Sequence, residues 1–212
     1  MSFDIYLYAL TSFFVIMDPI GVSPIYAALT RDETPAAARV MAFKGVAAAF
    51  LLLVLFGLFG EVVLTRLGIS IDAFRIAGGV FLFTTAFQMV TSVPTPSRVA
   101  AGEKSKESES DADYAFYPLA IPLLAGPGSL TTMILLMSEV TASGDPVMNQ
   151  MQLFAALISV LIIAIFCLLF AMTITRMLGR GGTALFTRVL GILLAALSIQ
   201  FVIDGLQNIF LG

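Results

Sequence analysis

An aspartate, a proline and two small residues interrupt an otherwise apolar stretch near the N-terminus. The segment IMDPIGVSP, residues 16 to 24, contains the residues that could do chemistry there: Asp18, Pro19, Gly21 and Ser23. At about 1.5 Å per residue, Asp18 would lie roughly 20 Å along a helix that begins near residue 3, close to the middle of a bilayer. A carboxylate at that depth is costly and by default marks a functional site. It could bind an ammonium group, hold a coupling cation or carry a proton.

A structural role for Asp18 is equally open. Proline lacks an amide hydrogen and breaks the hydrogen-bond ladder of a helix, so a second half-helix would begin at Pro19. Aspartate directly before such a start is a favoured N-cap residue. The capping role and the binding role are compatible, and the sequence leaves both open.

A second interruption lies in the C-terminal half, in the segment GPGSLTT. Its candidate binding residues are Gly126, Pro127, Gly128, Ser129, Thr131 and Thr132. A half-helix that begins after Gly126-Pro127 would present free amides and a positive dipole end, which suit a carboxylate ligand. The three hydroxyls could contact a substrate or a small cation. Alternatively, they could bond back to helix carbonyls and pack against neighbouring helices.

The elements that must position these residues are transmembrane helices. The chain has 212 residues, of which 59% are hydrophobic and 12% charged, and its mean hydropathy is +1.00. Uncharged stretches run from Ile76 to Ser97, from Tyr114 to Ser138 and from Pro146 to Thr175. About 20 apolar residues suffice to cross a bilayer as a helix, and barrel strands would be shorter and alternating. We therefore predict an all-α integral membrane protein that contacts the lipid bilayer and binds no nucleic acid.

Six spans are predicted, joined by loops whose basic residues set the orientation. The helices run from about Phe3 to Thr30, Val40 to Thr65, Asp72 to Thr91, Ala115 to Glu139, Met151 to Arg176 and Ala184 to Phe210. Nine lysines and arginines lie in or beside the first, third and fifth loops, against two near the second loop and none in the fourth. The positive-inside rule then predicts both termini outside and the loop of residues 97–113 in the cytoplasm. The N-terminus lacks the features of a cleaved signal peptide, so the first helix is expected to be retained.

The two halves, residues 1–96 and 114–212, resemble each other. Asp18-Pro19 aligns with Gly126-Pro127, TRLG at residues 65–68 with TRMLG at 175–179, and RIAGGVF at 75–81 with RVLGILL at 188–194. A duplicated unit of three helices must insert from opposite sides, which predicts one membrane domain of two inverted repeats. In such folds the paired interrupted helices form the binding site near the midplane. Gln88 and Gln200, at nearly equivalent places, could line the cavity or join helices.

The remaining charged residues receive no functional role from the sequence. Glu61, Glu139 and Asp204 lie near predicted outer helix ends, and Arg75 begins the third helix, where it is expected to reach the interface. There is no histidine, and the single cysteine, Cys167, is expected to be a packing residue. The HExxH, GxSxG and GxxxxGK[ST] motifs are missing, so neither an enzyme nor an ATP-driven pump is predicted. We expect no metal and no cofactor, with H+ or Na+ as the candidate coupling ions.

Four blocks together resemble the MarC family, also called the small neutral amino-acid transporter (NAAT) or UPF0056 family. They are DPIG followed by a proline at residues 18–24, LGISIDAFRIAGG at 67–79, PLAIPLLAGPGS at 118–129 and IQFVIDGL at 199–206. The resemblance covers the whole chain. It implies a prokaryotic inner-membrane protein of six spans that transports glycine, alanine or serine. One departure is Val22, which stands where the family's first motif has an asparagine.

Three functional hypotheses follow. The first is a secondary transporter that binds the carboxylate of a small amino acid near residues 126–129 and its ammonium group near Asp18. The second is an ion channel or ion exchanger whose hydroxyls and carbonyls coordinate the ion. The third is a membrane protein without transport activity. The oligomeric state, the direction of transport and the coupling ion are not determined by the sequence.

Overall fold

The computed structural model describes residues 2–31, 33–91, 124–142 and 144–211, and the regular secondary structure within these ranges is helical. The predicted cytoplasmic loop, residues 97–113, and the first part of the predicted fourth helix lie outside the described residues. Seven helices are described: α1 (Ser2–Met17), α2 (Pro19–Leu29), α3 (Pro35–Arg66), α4 (Ile71–Thr91), α5 (Pro127–Ala142), α6 (Pro146–Leu169) and α7 (Ala171–Leu211).

Five segments are long and apolar enough to cross a membrane. They are Asp4–Leu29, Pro35–Arg66, Ile71–Thr91, Pro146–Leu169 and Gly181–Phe210. They correspond to five of the six predicted spans, the first of which combines α1 and α2. The sixth predicted span, the fourth along the chain, is represented in the described residues by α5, which has 16 residues.

Three predicted helix boundaries are wrong. The fifth span begins at Pro146 rather than near Met151, because Asp145 caps it by accepting a hydrogen bond from the amide of Met148. The second span begins at Pro35 rather than near Val40, because Thr34 caps it by accepting a hydrogen bond from the amide of Ala37. The fifth span ends at Leu169 rather than near Arg176, and Phe170 leaves helical geometry before α7 begins. Nothing in the apolar sequence around Phe170 signals this end.

A kink at Gly179 divides α7 into a short first part and a long second part. The backbone angles of Gly179 are φ 61° and ψ 179°, a region that is almost restricted to glycine. The long second part is the last membrane span, and it begins at Gly181.

The seam between α4 and α7 depends on glycines, and its contacts show that the two helices are antiparallel. A Cβ added at Gly79 would lie 2.7 Å from the carbonyl oxygen of Ser198, and one added at Gly205 would lie 2.8 Å from Ile76. A Cβ at Gly191 would lie 2.8 Å from the Cβ of Met89. Positions therefore rise along α4 as they fall along α7, and the absence of side chains lets the backbones approach closely.

The core lies around α1, α5 and α6, and large apolar side chains cover the outside. Phe13, Met17, Leu53, Leu124 and Leu157 are among the fully buried residues of the main cluster. Many phenylalanines and leucines of α3 and α4 are exposed, as expected of helices that face lipid hydrocarbon.

Candidate functional site

Asp18 sits at the break between α1 and α2 and caps the second helix. It is 1% exposed, and its Oδ1 accepts a hydrogen bond of 2.9 Å from the amide of Gly21. The amide of Asp18 still donates to Phe14 and its carbonyl accepts from Val22, so the two half-helices remain joined. Pro19 has no amide to offer the carbonyl of Val15. The structure therefore shows that Asp18 has the capping role that the sequence left open. The cap places the carboxylate of Asp18 inside the bundle.

The backbone at Asp18 is strained. Its φ of 42° and ψ of 62° lie in the left-handed region, and among the described residues it is the only one other than glycine with a positive φ. Aspartate tolerates this conformation better than most residues, but it is still uncommon. Strained, buried residues of this kind are concentrated at functional sites.

Gly21 makes room for the carboxylate. A Cβ added at Gly21 would overlap the Asp18 side chain and lie 2.6 Å from its Cγ. Glycine is therefore required here by a close approach, and the DPIG sequence is one structural unit in which the proline, the cap and the glycine depend on each other.

Two long-range contacts attach this break to the C-terminal half. The hydroxyl of Thr187, in α7, lies 3.4 Å from Oδ2 of Asp18. Ser23 donates to the carbonyl of Pro19 at 2.9 Å and also reaches the carbonyl of Cys167, in α6, at 3.2 Å. The first helix break is thus enclosed by α6 and α7.

The second break begins α5 at Pro127. The amide of Leu130 donates to the carbonyl of Gly126 at 3.0 Å, which closes the first helical turn. The three predicted hydroxyl residues, Ser129, Thr131 and Thr132, are all buried. The Oγ1 of Thr132, a residue that is 0% exposed, has no hydrogen-bond partner within the described part of the chain. A buried hydroxyl in that state is an unused donor and acceptor.

The two breaks lie next to each other. A Cβ added at Gly128 would lie 3.4 Å from the Cγ2 of Ile16, two residues before Asp18, and 2.7 Å from Leu82 of α4. Met17 and Val22, on either side of the first break, share the main buried cluster with Leu124 and Ala125, which precede the second. The fold therefore brings together two segments that are more than 100 residues apart in the sequence.

An apolar cavity of about 420 Å³ lies on the side of the second break that faces α3 and α4. Pro127, Leu130 and Thr131 form one wall, and aromatic residues of the neighbouring helices form the other. Pro127 is exposed to this cavity, whereas Gly126 is buried. Thr131 is the polar residue in its lining, and this cavity is of the kind that hydrocarbon fills.

The two glutamines predicted as possible cavity-lining residues differ in their surroundings. Gln88 is half-buried in α4. Gln200 is exposed, and its amide donates to Oδ1 of Asp204 at 2.6 Å, one turn further along α7.

An ion pair that the sequence did not indicate lies elsewhere in the bundle. Arg75 is 9% exposed, and its Nη2 lies 2.8 Å from Oε1 of Glu139. Arg75 and Glu139 were not predicted to contact each other, so this ion pair adds to what the sequence indicated. Opposite charges at matching depths in the third and fourth helices were a usable signal. The sequence contains no comparable signal for the contact between Thr187 and Asp18.

These features define a multi-pass α-helical membrane protein built around a capped break in its first span. The comparisons with known proteins identify its family: residues 3–210 match the MarC family of integral membrane proteins, and the chain belongs to that family. This confirms the resemblance seen in the motifs.

The relatives match over nearly the full length of both chains, and each is named only as a UPF0056 membrane protein. A UPF0056 membrane protein of Methanocaldococcus jannaschii is 35% identical over 211 residues, covering 100% of both chains. One of Aquifex aeolicus is 34% identical, covering 97% of this chain and 94% of its own. One of Escherichia coli K12 is 30% identical, covering 100% and 96%. No solved structure matches this chain.

Proposed function

We propose that this protein is a secondary transporter of small neutral amino acids such as glycine, alanine or serine, in the inner membrane of a prokaryotic cell. The observation that carries the proposal is the contact between the two helix breaks, seen where Gly128 meets Ile16. Interrupted helices that meet inside a bundle are the usual construction of a transporter binding site. Unwound backbone is tolerated inside a membrane only where protein, water or a ligand satisfies it.

The two ends of a zwitterion fit the two breaks. The amides of the first turn of α5, at Gly128 and Ser129, combine with the positive end of the helix dipole to favour a carboxylate. The carboxylate of Asp18, held by the Gly21 amide, favours an ammonium group. The hydroxyls of Thr132 and Thr187 lie on α5 and α7, where they can contribute further hydrogen bonds. The small size of the substrate follows from the tight packing around Gly21 and Gly128.

We also propose that the bundle consists of two inverted three-helix repeats, with both termini outside. The directions of the helices support this arrangement. Tyr6 contacts Ser159 and Ser23 contacts Cys167, so the first and fifth spans run the same way. The third and last spans run in opposite directions along their glycine seam. These are the relations that a duplicated unit of three helices requires.

The test is counterflow in proteoliposomes loaded with unlabelled alanine, glycine or serine, following entry of the labelled amino acid. Wild type is expected to show saturable uptake, and Asp18→Asn is expected to abolish it because the ammonium loses its counter-charge. Asp145→Asn is a matched control: Asp145 also precedes a proline and caps a helix, accepting from Met148, but it is exposed.

The outcomes separate the roles of Asp18. If both variants keep their uptake, Asp18 is a cap and does not bind substrate. If correctly inserted wild-type protein shows no uptake of any of the three amino acids, the amino-acid assignment is wrong. Large uncoupled ion currents in the same vesicles would favour a channel.

A further inference from the structure

The ion pair between the buried Arg75 and the partly exposed Glu139 is the strongest feature that the proposed substrate site does not use. It joins α4 to α5, and so joins the first half of the chain to the second. The Arg75 side chain is 10% exposed and that of Glu139 is 37% exposed. Ionisable groups within membrane helices are costly and usually functional. Because α4 begins and α5 ends near this pair, it lies at the predicted outer end of the bundle.

A second carboxylate, that of Asp204, lies on the part of α7 that packs against α4 next to Arg75, and its Oδ1 accepts a hydrogen bond from Gln200. Gly205 packs on Ile76, since a Cβ added at Gly205 would lie 2.8 Å from Cγ1 of Ile76, and these two residues directly follow Asp204 and Arg75 in the chain. Asp204 is within electrostatic range of Glu139, and Tyr8 of α1 is within range of all three charged groups. We call Arg75, Glu139, Asp204 and Tyr8 the outer cluster. It has two carboxylates for one guanidinium.

Among the residues that the structure describes, the elements next to this cluster add further acidic groups and no cation that pairs with it. On α1, Asp4 lies one turn before Tyr8, and on α4, Asp72 accepts a hydrogen bond of 2.9 Å from Asn208 of α7. Helix α6 contains no Asp, Glu, Lys or Arg. The outer cluster therefore keeps an excess of negative charge.

The charged residues of α3 are on a different side of α5. Glu61 and Arg66 line a cavity together with Met137 and Thr141. Glu139 is two residues from Met137 and two residues from Thr141, which places its side chain about 200° around α5 from each of them. Glu61 is thus an acidic residue at the same predicted end of the bundle that is outside the outer cluster, and it provides a matched control.

We propose that Glu139 binds one exchangeable proton within the outer cluster, and that its uptake breaks the Arg75–Glu139 ion pair and lets the outer end open. A proton from the outer medium forms an O–H bond on Glu139 and removes its charge, so its attraction to Arg75 is lost. The proposed effect on transport rests on the function proposed above, while the proton site itself does not.

Two observations favour a proton over a metal cation. The guanidinium already occupies the space beside Glu139, and no group of three or more potential metal ligands occurs in the ranges that the structure describes. In addition, Nε of Arg75 is buried and has no hydrogen-bond partner among those residues. This donor allows Arg75 to turn from Glu139 to Asp204 when Glu139 becomes neutral, so the guanidinium stays paired.

The proton site can be tested without transport, by infrared titration of purified protein in lipid. Wild type is expected to gain the carbonyl band of a protonated carboxylic acid on mild acidification. The band is expected to be lost in Glu139→Gln and shifted in Asp204→Asn, which leaves the Arg75–Glu139 pair in place. Glu61→Gln is expected to keep it. A titrating band that is identical in all four proteins would overturn the proton site.

The gating role is tested by counterflow at a series of outer pH values with the inner pH fixed. Wild type and Glu61→Gln are expected to exchange faster as the outer medium is acidified, by about tenfold, which is within the usual range of coupling between two sites. Glu139→Gln is expected to lose this pH dependence. Persistence of the full pH dependence in Glu139→Gln would overturn the gate. Absence of exchange at every pH would instead refute the transport function, and the infrared titration would still decide whether the proton site exists.

Discussion

Replacing Gly21 by alanine would force the Asp18 carboxylate out of its place. The added methyl carbon would lie 2.6 Å from Cγ of Asp18, closer than two carbons can approach without displacement. The side chain of Asp18 is enclosed by α6 and α7, so it cannot simply swing into open space. The hydrogen bond from the Gly21 amide to Oδ1 would be lost or distorted.

The size of the effect follows from three terms of different sign. Losing the N-cap costs about 1 kcal/mol. Inserting a methyl group into a well-packed site costs about 1–3 kcal/mol. The higher helix propensity of alanine returns about 0.5–1 kcal/mol. The expected net destabilisation is about 2 kcal/mol, because the steric and capping terms outweigh the propensity term.

Reversible unfolding in mixed micelles would measure this change, with Gly181→Ala as the matched control. Gly181 is also in a helix, but a Cβ there would meet nothing within 4 Å, so its replacement is expected to be neutral or slightly stabilising. Equal stability of the two variants would show that the Asp18 carboxylate does not fill the space beside Gly21, and the description of DPIG as one structural unit would be wrong.

Three further changes test other parts of the structure by the same measurement. Gly79→Ala is expected to cost about 1–3 kcal/mol, because its Cβ would lie 2.7 Å from a backbone carbonyl of α7; no loss would mean that the seam is looser than described. Gly179→Ala is expected to cost about 1–3 kcal/mol through backbone strain alone, since no atom lies within 4 Å of its Cβ, and an unchanged stability would argue against the kink. Glu139→Ala is expected to cost about 2 kcal/mol, less than the roughly 3–5 kcal/mol of a fully buried pair because Glu139 is 37% exposed. Adding Arg75→Met to the Glu139→Ala variant should recover most of that lost stability. If the double variant is no more stable than Glu139→Ala, the loss does not come from leaving the Arg75 charge unpaired.

The local chemistry of the first break could be predicted from the sequence. Asp-Pro is a helix-start signal wherever it occurs, and the structure uses it twice, at Asp18 and at Asp145. The apolar lengths of the spans were equally readable, because each must match the thickness of a bilayer. Thr34-Pro35 carries the same signal for the start of α3, although the hydrophobic stretch alone favours a later start.

Contacts between distant parts of the chain could not be predicted in the same way. Thr187 approaches Asp18 only because α7 packs against α2, and neither residue's local sequence encodes that packing. The ion pair between Arg75 and Glu139 is a partial exception, because their opposite charges lie at matching depths in the third and fourth predicted helices, although each local sequence indicates only a residue near a helix end. The end of α6 at Leu169 also escaped prediction, since the residues on both sides of Phe170 are good helix formers in an apolar run.

The central claim is that the two helix breaks form one amino-acid site, and substrate protection of single cysteines tests it most directly. Ser23→Cys, Ser129→Cys and Ser70→Cys would each be made with Cys167 replaced by alanine. Ser23 and Ser129 are buried beside the two breaks, whereas Ser70 is an exposed cap at the start of α4. Alanine is expected to slow the reaction with a small thiol reagent at positions 23 and 129 and to leave position 70 unchanged. Protection at neither buried position, or at only one of them, would contradict a site shared by the two breaks.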